Sequence, residues 1–217
     1  MVIAMTLAQA LFVSDDILEN ILSLESLVCS MPTNYIKGKH KLLQAENISS
    51  QINKKLILLK KYLKRLSYST LSYSDGYTAE RLLQSIDELR IITEHLLHIA
   101  KISKAISKLK SPLSFTAQRE LDALLDRINV ILRTLQDAFL KSNAITSKWM
   151  LRQDTVIQEQ IKGVKKNHIE RLRNGTCNIE TGMCFLDLLN DYAQISTHCT
   201  ALFHEEFIID YLEERKG

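Results

Sequence analysis

The sequence has few of the residues that interrupt regular structure. It contains 6 glycines and 2 prolines in 217 residues, and both prolines sit in short polar breaks. Leu, Ile, Lys and Ser are abundant, so an all-helical protein is expected. It has 4 cysteines with no CxxC pairing, which read as reduced, mostly buried thiols. No glycine-rich phosphate loop, HExxH or nucleophile elbow occurs. The formal net charge of +3 is too small and too mixed to argue for nucleic-acid binding. The apolar start, Met1 to Val13, is shorter than the roughly 20 residues a bilayer span needs and lacks a basic leader. The chain therefore reads as soluble by itself, with an opening that suits a piece of a longer protein.

Six segments with helical apolar spacing are present, over 3–30, 40–70, 77–110, 115–142, 147–173 and 178–214. They are separated by breaks at Pro32 and Gly38, at the Asp75–Gly76 turn, at Pro112, before Ser147 as a helix cap, and at Gly175 as a helix terminator. Long helices with short connections make antiparallel bundles. The break near Pro112 divides the chain into two three-helix units, 1–112 and 113–217.

The third and sixth segments share a register. Leu82, Ser85, Leu89, Ile92, Leu96 and Ile99 superimpose on Phe185, Leu188, Tyr192, Ile195, Cys199 and Leu202, both spaced 3, 4, 3, 4, 3. At the same offset His95 falls on His198, Glu88 on Asp191 and Ala79 on Gly182, so a duplicated three-helix unit is expected. Beside one seam runs a polar stripe, Cys184, Asp187, Asp191, Gln194 and His198. Its counterpart is Arg81, Gln84, Glu88, Ile91 and His95. Such a stripe reads as helix-edge groups that hydrogen-bond to neighbouring helices and set register.

His168 to Leu202 contains two histidines and three cysteines, but helix geometry separates them. Cys184 and His198 lie about 21 Å apart along a helix rising about 1.5 Å per residue. The weak candidates for metal ligation are the pairs Glu94/His98 and Asp187/Asp191. Each supplies two ligands where a closed site takes four to six. Cys199 lies on the apolar seam, the wrong place for an activated thiolate. No catalytic residue is nominated. In the second segment, Lys54, Lys55, Lys60, Lys61, Lys64 and Arg65 occur without an acid among them. They read either as a solvated face or as a face for anionic lipid or an acidic partner.

His168, Ile169, Arg171, Leu172, Gly175 and Cys177 form a "HI-x-RL-x-x-G-x-C" turn. It leads into Phe185, Asp187, Leu188, Leu189, Asn190, Asp191, Ile195, His198 and Cys199. This stretch resembles the last helix pair of a PhoU-like domain, in particular the one at the C-terminus of bacterial sodium/phosphate cotransporters; Asp87 to Lys101 resembles the same element more weakly. The resemblance implies an all-α fold of two similar antiparallel three-helix bundles, each in the manner of a spectrin repeat. It implies a non-catalytic regulatory role in phosphate transport at the cytoplasmic side of the plasma membrane. The partner implied is a transmembrane sodium/phosphate transporter of the same chain or complex. The alternatives are a standalone, dimeric PhoU-type regulator or a metal-binding helical bundle. Domains of this family carry an E-x-x-x-D motif in each repeat that binds multinuclear metal clusters. Here its positions hold Arg90 and Glu94 in the first repeat and Ala193 and Thr197 in the second, so no metal cofactor is expected.

Overall fold

The computed structural model describes residues 6–29, 31, 39–66, 71–139 and 144–214, with the side chains of the last helix described as far as Phe203. They form six α-helices: α1 (Leu7–Cys29), α2 (Lys39–Leu63), α3 (Tyr73–Ile106), α4 (Phe115–Ala138), α5 (Ala144–Arg173) and α6 (Ile179–Glu214). No strand occurs among the described residues. The all-α expectation holds.

Local chemistry sets the helix ends. Thr6 and Gln9 exchange side chain to backbone hydrogen bonds at the start of α1, a capping box. Ser72, Ser114 and Asn178 accept from the first-turn amides of α3, α4 and α6. Because Ser72 caps α3, Asp75 and Gly76 fall in its first turn, and the expected Asp–Gly turn is not there. Ser147 is likewise not a helix cap. The helix α5 begins at Ala144 and Ser147 is buried within it. Gly175 behaves as expected, with φ at +66°. The bonds Gly175 N–H to Leu172 O and Thr176 N–H to Arg171 O close α5 as a Schellman motif. A second helix reaching to residue 70 was expected; α2 ends at Leu63, although a turn continues to Leu66.

Helix α1 packs on α2 and α3, and α4 packs on α5 and α6. The two groups meet along α3 and α6, with α1 also touching α4. The α3 seam Leu82, Ser85, Leu89, Ile92, Leu96 and Ile99 is buried throughout, as are Phe185, Leu188, Tyr192, Ile195 and Cys199 of α6; Leu202 is half-buried. Each large apolar side chain taken from water contributes about 1.5–3 kcal/mol, so these seams dominate cohesion. Cys199 is fully buried, and burial pushes its thiol pKa far up. Cys177 and Cys184 are half-buried, contrary to the expectation of mostly buried thiols, and the Cys29 side chain lies outside the described residues. No described helix is long and apolar enough to cross a membrane.

Candidate functional site

The polar stripe lies where the two groups of helices meet, and its acids and histidines pair across them. On α6, Asp191 is buried and accepts from the Nδ1 of His95 at 2.8 Å and of His98 at 2.9 Å, both on α3. In return, His198 of α6 pairs through Nδ1 with Glu88 of α3 at 2.6 Å. A carboxylate has only acceptors, so each of these Nδ1 atoms carries the hydrogen. The rings of His95 and His198 stack at 6.1 Å, 22° from parallel. Glu88 and Asp191 are related by the same offset as His95 and His198. The contact is therefore reciprocal: each helix gives an acid to the other's histidine. Towards the α3 N-terminus, Arg81, Gln84 and Glu88 line a cavity of about 290 Å³ with Leu11, Leu82, Phe139 and Leu202, and Arg81 donates to the Phe139 carbonyl.

The metal candidates do not converge. His98 meets Asp191, but Glu94 is held by Arg90 at 2.6 Å and Asp187 is exposed. No group of three or more His, Cys, Asp or Glu side chains that could hold a metal ion occurs among the described residues. At the motif positions of α6, Ala193 and Thr197 face α5 instead. The Gln158 amide donates to the Ala193 carbonyl and to Thr197 Oγ1, both at 3.2 Å. Asp154 accepts from Ser196 at 2.7 Å and from Gln158 at 3.2 Å. In the first repeat, the residues at the same offset as Asp154 and Gln158 are Gln51 and Lys55. Lys55 pairs with Asp16, and Lys60 and Arg90 with Asp87. One carboxylate among four motif positions, flanked by a guanidinium, does not fit a carboxylate-bridged cluster, which requires negative charge to offset its cations.

The "HI-x-RL-x-x-G-x-C" residues form the elbow between α5 and α6. His168 is buried against Gly182; a Cβ built on Gly182 would lie 2.9 Å from its Cε1 and Nε2. Its ring packs on Phe185 at 5.1 Å, and its Nδ1 lies 3.9 Å from Cys177 Sγ. Arg171 makes a two-pronged pair with Glu120 of α4 at 2.7 and 3.1 Å, and its guanidinium lies over Phe185. Asn167 donates to the same Glu120. Ile169, the other motif residue, is half exposed.

Burial holds the His168 imidazole below its usual pKa of 6.5; the nearby Arg171 charge adds to this and Glu120 opposes it. The folded protein thus resists a proton that the unfolded chain accepts. The stability from a neutral His168 is complete above about pH 6.5 and is lost as pH falls. Between pH 7.5 and 5.5 the wild type is expected to lose more stability than His168→Gln, with urea midpoints at each pH as the measurement. Parallel slopes for the two proteins would show that His168 titrates normally.

The basic residues of α2 divide into two sets. Lys55 and Lys60 are engaged by Asp16 and Asp87. Lys54, Lys61, Lys64 and Arg65 are exposed.

Asp154 and Gln158 stand one turn apart, which puts both on the α6 side of α5. The common offset of Glu88/Asp191 and His95/His198 permits the cross-pairing, but spacing along one helix does not reveal which partner faces it.

The architecture is that of an all-helical protein built as two three-helix bundles joined along their third helices by reciprocal polar pairs. Its fold is that of PhoU proteins. The structure of the phosphate transport system regulatory protein PhoU from Streptococcus pneumoniae superimposes with a TM-score of 0.70 at 17% identity, covering 87% of this chain and 90% of that one. PhoU from Pseudomonas aeruginosa superimposes with a TM-score of 0.72 at 15% identity, covering 88% and 94%. No family model and no curated protein sequence matches the chain.

Proposed function

We propose that this chain is a non-catalytic regulatory or accessory domain of a sodium-dependent phosphate transporter. It acts through helix-face contacts at the cytoplasmic face of the membrane. The observation that carries this is the PhoU fold over nearly nine-tenths of the chain, supported by the cotransporter-like elbow and α6 residues. The role uses no metal cluster. The two bundles form a scaffold, and the His–carboxylate seam fixes their relative register. Exposed helix faces supply the contacts with the transporter.

A second reading is a standalone PhoU-type regulator. It fits the same fold equally well, since the superpositions cover 90% and 94% of the PhoU chains themselves. Phosphate uptake in cells lacking the gene distinguishes the two. The first predicts that sodium-dependent uptake is altered and that the protein is recovered with the sodium-coupled carrier. The second predicts altered uptake that persists without sodium. Uptake unchanged at both low and high phosphate would remove the phosphate role.

A further inference from the structure

We propose that the outward face of α2 is a docking surface for an anionic lipid bilayer. Ile57 and Leu58 are 66% and 63% exposed in mid-helix, with nothing of the described chain covering them. Lys54 stands one turn before them and Lys61 one turn after; Lys64 and Arg65 continue the stripe on the following turn. Leu43, 67% exposed, lies on the same stripe nearer the start of the helix. No acid occurs from Asn47 to Leu66. Lys55 and Lys60 neutralise Asp16 and Asp87 at the sides of the helix. Lys54, Lys61 and Arg65 make no ion pair among the described residues, and Lys64 touches no acid there although its charge acts on Asp87.

The chemistry selects the occupant. Aliphatic side chains between lysines suit the boundary of a bilayer, where Ile57 and Leu58 enter the acyl region and the ammonium groups reach back to lipid phosphates. A second copy of this face would set four cations against four. A nucleic acid would gain nothing from Ile57 and Leu58, which offer no ring on which a base can stack. The cavity described above has no lining residue from α2, and Ile57 and Leu58 stand exposed on the helix surface as a ridge. A flat lipid surface accepts a ridge. The inference rests on the proposal that the chain works at the membrane face, and adds that lipid itself is a ligand.

The test is co-sedimentation of the full chain with vesicles of phosphatidylcholine containing 30% phosphatidylglycerol, against phosphatidylcholine alone, at low and high salt. Wild type is expected to bind the anionic vesicles, to bind the neutral ones weakly, and to weaken as salt rises. Lys54→Glu/Lys61→Glu is expected to lose at least about 25-fold, a factor of about five for each cation removed. Ile57→Ser/Leu58→Ser is expected to lose about tenfold even at low salt. Lys108→Glu/Lys110→Glu, which reverses exposed cations outside α2, should bind as wild type does. These are surface positions, and circular dichroism checks that each variant folds. Equal binding to neutral vesicles, or none to anionic ones, overturns the proposal. So does a loss confined to the charge variant, because a purely electrostatic contact would serve any polyanion. Vesicles contain no transporter, so this result and the uptake phenotype of the gene deletion can fail independently.

Discussion

Replacing His95 and His98 together by alanine is expected to cost about 3–5 kcal/mol of folding stability, the range for stranding a buried charge without its partners. Asp191 has a side chain only 6% exposed, and these two rings are its imidazole partners. Their loss leaves a buried carboxylate without the two hydrogen-bond donors that α3 supplies. Because His98 is 54% exposed at its side chain, the lower end of the range is expected. For a chain of this size that is a fall in Tm of roughly 6–12 °C. Adding Asp191→Leu should recover most of the loss, since removing both sides of a buried pair is often neutral. The matching change on the other pair, His198→Ala, is expected to cost only about 1 kcal/mol, because Glu88 is 31% exposed and can turn to water. Removing the exposed Arg90–Glu94 pair should cost less than that. Urea denaturation of the set checks the order. A double-alanine loss below about 1 kcal/mol would mean that Asp191 is not held by these rings.

Gly182→Ala is expected to destabilise by about 1–3 kcal/mol, although glycine to alanine inside a helix ordinarily stabilises by up to about 1 kcal/mol. The sign reverses because the new Cβ would lie 2.9 Å from two atoms of the His168 ring, with Leu172 Cδ2 at 3.4 Å beside it. The ring cannot swing clear easily, being buried and backed by Phe185. In a double-mutant cycle, His168→Ala should absorb most of the penalty, giving a coupling of at least about 1 kcal/mol. Gly163 is an internal control: it also lies inside a helix, and a Cβ there meets nothing within 4 Å. Gly163→Ala should stabilise. If Gly182→Ala stabilised equally, the notch between α5 and α6 would have slack.

The elbow shows how far a motif can be read. The types and spacing of His168, Arg171, Gly175 and Cys177 are visible in sequence, and Gly175 could be assigned its left-handed turn directly, because few other residues adopt positive φ at low cost. That His168 fills the hollow over Gly182, and that Arg171 reaches Glu120, could not be, since these contacts join residues on different helices. The six basic residues of α2 looked equivalent along the chain. Their division into two paired with acids and four left exposed depends on where Asp16 and Asp87 come to lie. The Asp75–Gly76 expectation failed because Ser72 takes the first-turn amide and draws both residues into α3, and Ser147 lies inside α5 because that helix already runs from Ala144.

Local rules were enough for the helical class, the order of the six helices, the two seams and the shortage of carboxylates at the motif positions, because each depends on residues a few positions apart on one helix. Tertiary structure alone decided that Glu88 pairs with His198 and Asp191 with His95 and His98, that Asp154 and Gln158 occupy the flank of α6, and that Ile57 and Leu58 are left uncovered. Spacing determines which face of a helix a side chain occupies. Which helix meets that face follows from burying both seams at once, so that the polar groups beside them find partners on the opposite helix.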